Sequence, residues 1–200
     1  MNKINKAIPG FENFSKAFDN IICSKEWLKA QDDFNSCNQI LTVGNGGNLA
    51  VCDHGAIDIA RLTDKNATAP GSGILASSLI NDTSHELWVK NWLSISMRSM
   101  SESNKKQTMI IGVSSSGYSK NICLALELAL NNNLKTLLIS AQKPRIIGAY
   151  NTVVLDVNEF HTSEVLTLSL FYQLIHGGGF SCPSINISND RQLMTDYTRG

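Results

Sequence analysis

Residues 108–119 read Thr108-Met109-Ile110-Ile111-Gly112-Val113-Ser114-Ser115-Ser116-Gly117-Tyr118-Ser119. The first half is a continuous apolar run without in/out alternation, as a strand buried on both faces requires. At Ser114 the chain turns small and polar, and a helical pattern follows with Ile122, Leu126, Ala129 and Leu130 on one side. Asn131-Asn132-Asn133 stops that helix, and Lys135 to Ile139 is the next strand. The same order occurs upstream. Gln39-Ile40-Leu41-Thr42-Val43 reads as a strand, Gly44-Asn45-Gly46-Gly47-Asn48 as a Gly-rich turn, and Leu49 to about Leu62 as a helix with Asn48 as its predicted N-cap.

The outer segments extend the pattern. A helix is expected from about Phe11 to Phe34, because Phe11, Phe14, Phe18, Ile21 and Ile22 recur at steps of three and four. Thr63 to Gly73 reads as loop, Ile74 to Leu79 as a brief strand, and His85 to Met100 as a largely apolar helix carrying Trp88 and Trp92. The SESNKKQ stretch reads as a connection, Thr152 to Val157 as a strand, and Thr162 to Ile175 as an apolar helix closed by Gly177-Gly178-Gly179. The polar tail, residues 180–200, receives no assignment. Continuous apolar strands alternating with helices mark a parallel sheet covered on both faces. No linker composition divides the 200 residues, so one α/β domain is expected.

Lys+Arg and Asp+Glu both number 17, a formal charge of zero. That balance argues against a dedicated nucleic-acid or membrane-surface binder, which needs many cations on one face. No apolar run is long enough to span a bilayer, and the N-terminus does not read as a signal peptide. Five widely spaced cysteines without a C-x-x-C pair argue against a disulfide framework or zinc ribbon, and cytosol is the expected compartment.

In an open parallel sheet, ligands bind beyond the carboxyl ends of the strands. Both polar turns stand at such ends. Small side chains allow close approach to the backbone, and a helix start offers free N–H groups and a favourable dipole to an anion. Hydroxyls of Ser114, Ser115, Ser116 and Ser119 could donate to several oxygens of one phosphate. No Lys or Arg stands in the turn before Lys120, so such a cradle works through neutral donors. The P-loop string is absent, and a dinucleotide fingerprint starting at Gly44 would need glycine where Leu49 stands. Serine and glycine are also ordinary turn and cap residues, and it is the occurrence of two such turns in one domain that favours a ligand site.

GNGGN opening a helix, with GVSSSGYSKN after a later strand, resembles the sugar isomerase (SIS) domain family, and within it the phosphoheptose (sedoheptulose 7-phosphate) isomerase branch. That branch typically shows GNGGS and G-x-S-T-S-G-N-S-x-N. The resemblance implies a flavodoxin-like three-layer sandwich on a five-stranded parallel sheet, a phosphorylated-sugar ligand and a homotetramer, with no direct nucleic-acid or membrane partner. It places Ser114, Ser115, Ser116 and Ser119 on the phosphate loop, with Ser115 where Thr is usual. Asn45, Gly46 and Gly47 fall on the sugar-facing turn, with Asn48 in place of Ser. Asp82, in Asn81-Asp82, falls on a substrate-side pair that would hold sugar hydroxyls.

The chemistry positions depart from the family. Its first site helix carries His and Glu four residues apart; here they are His54 and Asp58, one turn apart on one face. Its C-terminal helix supplies Gln and, eight residues on, a second His; here those positions hold Ser163 and Phe171. Enediol isomerisation needs a base for a carbon-bound proton and a partner for the oxygens. The resemblance makes Asp58 that base, with His54 assisting, although its carboxylate is about one methylene shorter and a misplacement of about 1 Å can cost roughly 10²-fold. Without the resemblance, Asp58 with Arg61 is equally an ordinary helix-surface ion pair. The family's zinc is held by the His, the Glu, the Gln and the second His, and two remaining ligands seldom hold zinc tightly, so no metal and no other cofactor is expected. The alternative to the isomerase is a non-catalytic module that binds a sugar phosphate as a signal, or an assembly platform like the DnaA-initiator-associating protein.

Overall fold

The computed structural model describes residues 8–71, 73–144 and 148–182. Most of the unassigned tail, residues 183–200, lies outside the described residues. In chain order the elements are α1 (Phe14–Ile22), α2 (Lys25–Asn35), β1 (Gln39–Val43), α3 (Gly47–Leu62), β2 (Asn66–Thr68), α4 (Gly73–Asp82) and α5 (Trp88–Met97). They continue with α6 (Glu102–Lys106), β3 (Thr108–Val113), α7 (Lys120–Asn131), β4 (Lys135–Ser140), β5 (Asn151–Val154) and α8 (Phe160–Gly177).

The five strands form one all-parallel sheet in the order β2-β1-β3-β4-β5. This is the expected flavodoxin-like arrangement. Its two faces bury separate cores. Ile40, Met109, Ile111, Leu137, Ile139 and Val153 face Trp27, Phe34, Ile59, Leu166, Phe171 and Leu174 of α2, α3 and α8. Leu41, Val43, Ile110 and Leu138 face Val89, Leu93, Ile122 and Leu126 of α5 and α7. The central strands are apolar on both sides because helices cover both. A Cβ at Gly112 would come within 2.7 Å of Ile122 Cγ2, so that glycine sets how closely α7 packs on the sheet. Among the described residues no helix is long and apolar enough to cross a membrane.

Four local expectations are corrected. The helix expected over residues 11–34 is two helices. Ser24 has extended backbone at φ −75° and ψ 153°, its hydroxyl accepts from the Trp27 amide at 3.1 Å, and it donates to the Ile21 carbonyl at 2.7 Å. One side chain thus closes α1 and caps α2, a local preference stronger than the apolar periodicity running through it. The expected loop from Thr63 contains β2, which pairs three residues with β1. The expected strand at Ile74 is the helix α4, whose Leu75, Ala76, Leu79 and Ile80 reach the second core at helical spacing. The stretch between α5 and β3 contains the short helix α6, capped by the Ser101 hydroxyl on the Asn104 amide.

Candidate functional site

β1 and β3 are neighbours, with Val43 beside Gly112, so their carboxyl ends open side by side. The chain leaves β1 through α3 toward β2 on one side and leaves β3 through α7 toward β4 on the other. This reversal is the switch point at which open α/β sheets bind ligands. Both polar turns stand there, and hydrogen bonds stitch them together. Asn45 Nδ2 donates to Asn121 Oδ1 at 3.1 Å, and Asn121 Nδ2 donates back to Asn45 Oδ1 at 2.8 Å. Asn48 Nδ2 donates to Ser115 Oγ at 3.1 Å, while Asn48 Oδ1 is buried with no partner among the described residues.

The N-cap of α3 is Gly46, at φ 55° and ψ −126°, rather than the expected Asn48. No side chain but glycine adopts that conformation cheaply. Asn48 is instead the second residue of α3, and its amide is spent across the site. A Cβ on Gly47 would overlap the Glu164 carboxylate, so glycine here lets α8 lay an anion against the start of α3. The favourable end of α3 is therefore already complemented by Glu164.

The start of α7 differs. Its N-cap is Ser119, a residue type that normally caps, yet its side chain makes no capping bond. Ser119 Oγ accepts from Ser114 Oγ at 2.8 Å, and the Ser119 amide donates to Ser114 Oγ at 3.3 Å. Among the described residues the backbone amides of Ser115, Ser116 and Lys120 find no acceptor. Ser114 is buried, while Ser115, Ser116 and Ser119 are half-buried at the rim. Gly117, at φ +71°, turns the loop so that these groups converge, and a Cβ there would meet Pro144 at 2.7 Å. Lys120 is drawn outward to Glu86, Nζ to Oε2 2.6 Å, leaving neutral donors at the mouth. Of the two helix starts, α7 has the donors and the unfilled dipole that an anion requires.

His54 and Asp58 lie farther along α3. Asp58 is 8% exposed, with both carboxylate oxygens engaged. Arg61 Nη1 donates to Oδ1 at 3.3 Å. At Oδ2 three groups close a triangle: Tyr172 Oη donates to it at 2.7 Å, His54 Nε2 is 3.1 Å from it, and the phenol and imidazole are 3.2 Å apart. Asp58 is thus not the plain surface ion pair that its i, i+3 spacing to Arg61 alone would suggest. The hydrogen bond to Asp58, with burial and the carboxylate charge adding, pushes the Tyr172 phenol from 10.0 up to about 12. Because a raised phenol pKa favours the protonated form in the folded chain, that bond stabilises the fold up to pH 10 and is lost as pH climbs toward 12. Asp58→Ala is expected to return the Tyr172 ionisation toward its ordinary value, as read by NMR titration of ring-labelled tyrosine.

Phe171 is 1% exposed, and a Cβ on Gly55 would strike its ring at 2.6 Å. The ring fills the space that the glycine opens between α3 and α8. The Ser163 hydroxyl is buried and has no partner among the described residues. These residues do not fit a zinc site: Arg61 holds the second oxygen of Asp58, Phe171 offers no donor, and Ser163 is neutral. Phe171→His, which restores the family's residue type, is expected to lower unfolding free energy in urea by about 2 kcal/mol or more. The imidazole fills less volume and buries unpaired nitrogens.

Asp82 lies at the end of α4, exposed, where it accepts from Asn81 Nδ2 at 3.2 Å. It borders an open depression with Ser77 and Ser78, and no hydrogen bond among the described residues ties it to either turn. A second cleft of about 770 Å³ follows the free edge of β5 against α1 and reaches Pro144, the residue that packs against Gly117 of the serine turn. Three participants escaped the sequence reading: Asn121, Glu164 and Tyr172. Asn121 ends the GVSSSGYSKN string, two residues past Ser119, a placement that could have singled it out.

Comparison with known proteins follows the same residues. Residues 94–177 match the SIS domain model, a stretch that includes the serine turn. The phosphoheptose isomerase of Yersinia enterocolitica is 28% identical over 145 residues, 70% of this chain and 72% of that protein. The solved phosphoheptose isomerase GmhA from Neisseria gonorrhoeae superposes with a TM-score of 0.68 at 16% identity, covering 83% of this chain and 93% of that one. The Vibrio vulnificus NanR protein, solved with ManNAc-6P, superposes with a TM-score of 0.56 at 15% identity, covering 83% of this chain and 59% of that one. The comparisons agree with the resemblance read from the two turns: residues 94–177 are similar to the SIS domain, and the chain as a whole is similar to the phosphoheptose isomerases.

Proposed function

We propose that the chain is a sugar-phosphate isomerase of the phosphoheptose type, converting sedoheptulose 7-phosphate to D-glycero-D-manno-heptose 7-phosphate through an enediol. The observation that carries this reading is the start of α7. A serine N-cap that does not cap, amides at Ser115, Ser116 and Lys120 that find no acceptor among the described residues, and serine hydroxyls at the rim converge beside the glycine turn. In this reading Ser114, Ser115, Ser116 and Ser119 hold the phosphate. Asn45, Gly46, Gly47, Asn48 and Asp82 orient hydroxyls, Asp58 is the base and His54 assists it.

From Gly47 to Asp58 the axis of α3 rises ~16 Å. That exceeds the length of an extended seven-carbon sugar phosphate. The separation supports the homotetramer that the resemblance implies, with the phosphate turn of one copy and the acid–base face of another closing on one sugar. Exposed Ile57 on α3 and Val165 on α8 supply apolar surface for such packing. Cytosolic phosphorylated sugars are the substrates this reading requires.

A second reading, a non-catalytic module that senses a sugar phosphate, is favoured by Ser163 and Phe171, which cannot transfer protons as the family's residues do. The likeness to NanR, solved with a sugar phosphate, supports it as well. Incubation with sedoheptulose 7-phosphate separates the two. Aldose formation supports the isomerase, thermal stabilisation without turnover supports the sensor, and neither result leaves only the scaffold.

A further inference from the structure

We infer that Tyr172 is a catalytic residue, the second proton-transfer group of the site, moving the proton on the sugar oxygens while Asp58 moves the one on carbon. This rests on the isomerase reading above and goes beyond it, because no residue at the family's second His position can serve. Phe171 occupies that position with its ring sealed against Gly55. The next residue on α8 projects differently. Its hydroxyl reaches across from α8 to α3 and sits 2.7 Å from Asp58 Oδ2 and 3.2 Å from His54 Nε2.

The triangle suits a proton relay. Tyr172 is half-buried and His54 is exposed, so the vertex opens outward, whereas Asp58 is buried beneath it. Arg61 fastens the far oxygen of Asp58 at 3.3 Å, which leaves Oδ2 turned toward the phenol and the imidazole. The His54 ring meets Tyr172 edge-on, with centroids 6.3 Å apart, which holds the phenol in place from the side. The phenol donates to Asp58 Oδ2 at rest, so Tyr172 arrives at the reaction as a donor.

The steps balance without a further reactant. Asp58 takes a proton from C1 of the ketose, and the C–H electron pair becomes the C1=C2 bond. The C2=O π pair moves to oxygen, which takes the phenol proton, giving the enediol and tyrosinate. The O1 proton then returns to the tyrosinate as C1=O forms, and the C1=C2 pair takes the Asp58 proton at C2. Both side chains end as they began, and the substrate is isomerised.

The test is Tyr172→Phe, which keeps the ring and deletes only the hydroxyl. Three quantities are read: aldose formation from sedoheptulose 7-phosphate, exchange of the C1 hydrogen with solvent deuterium by NMR, and thermal stabilisation by the sugar phosphate. The expected result is a loss of turnover and exchange of about 10²–10³-fold, with ligand stabilisation retained. Full turnover in Tyr172→Phe, beside an active wild type, overturns the role of Tyr172 and leaves the isomerase reading standing. Neither turnover nor exchange in the wild type overturns both. Equal losses of turnover and ligand stabilisation would mark Tyr172 as structural and also overturn the proposal.

Discussion

Ser119→Glu abolishes the thermal stabilisation that phosphorylated sugars give the wild-type chain, while leaving the ligand-free protein at least as stable. The two signs follow from one position. Ser119 is the N-cap of α7, but its hydroxyl is turned to Ser114 and does no capping. A carboxylate at this end complements the helix dipole and the amides that find no acceptor among the described residues, an effect of about 0.3–1 kcal/mol in favour of the folded chain. The same carboxylate then stands where the phosphoryl group would sit. Two like charges about 4 Å apart near a protein surface repel by about 4 kcal/mol, roughly 10³-fold in affinity. At a ligand concentration of 100 Kd, the wild type gains about 2.7 kcal/mol, which shifts Tm by roughly 5–10 °C for a chain of this size. The variant is expected to show no shift at that concentration. A variant that is unchanged alone and still shifts by the wild-type amount would remove the phosphate cradle from α7.

The turn between β3 and α7 was legible in the sequence because local chemistry marks it. A six-residue apolar strand cannot continue into Ser114-Ser115-Ser116-Gly117, and a helix pattern begins just beyond, so strand end, turn and helix start are all visible within one short window. The parallel sheet covered on both faces is legible for a similar reason, since uninterrupted apolar strands with helices between them leave few other architectures. The break at Ser24 was hidden because apolar spacing continues across it, and only the serine's two hydrogen bonds reveal two helices. β2 was hidden by length: three residues with an exposed flank carry no alternation to read. The face of α3 that carries His54 and Asp58 was half visible. The resemblance singled out that pair, but Tyr172 reaches them over sequence separations of 118 and 114 residues. Nothing local to Tyr172 distinguishes it from an interior aromatic. The fate of Phe171 was equally invisible, because it depends on Gly55 on another helix opening the space for its ring.

Asp58→Asn is expected to lower turnover of sedoheptulose 7-phosphate by about 10³-fold, with the sugar phosphate still stabilising the protein against heat. Asparagine keeps the volume and an oxygen that can accept from Tyr172 or Arg61, so the packing of α3 on α8 survives. What it removes is a lone pair basic enough to take a proton from carbon, a contribution of roughly 10²–10⁴-fold in general acid–base catalysis. Asp58→Glu completes the argument from the opposite side. It retains the base but adds the methylene that the family's residue has. In this chain the carboxylate is already fastened by Arg61, His54 and Tyr172 at 3.3, 3.1 and 2.7 Å. The longer side chain must displace the phenol or the imidazole, and a misplacement of about 1 Å costs on the order of 10²-fold. Glutamate is therefore expected to restore part of what asparagine loses and to fall short of aspartate. A glutamate variant faster than the wild type would show that this chain is a family enzyme weakened by a short base. An asparagine variant within threefold of the wild type would place the chemistry elsewhere than on this face of α3.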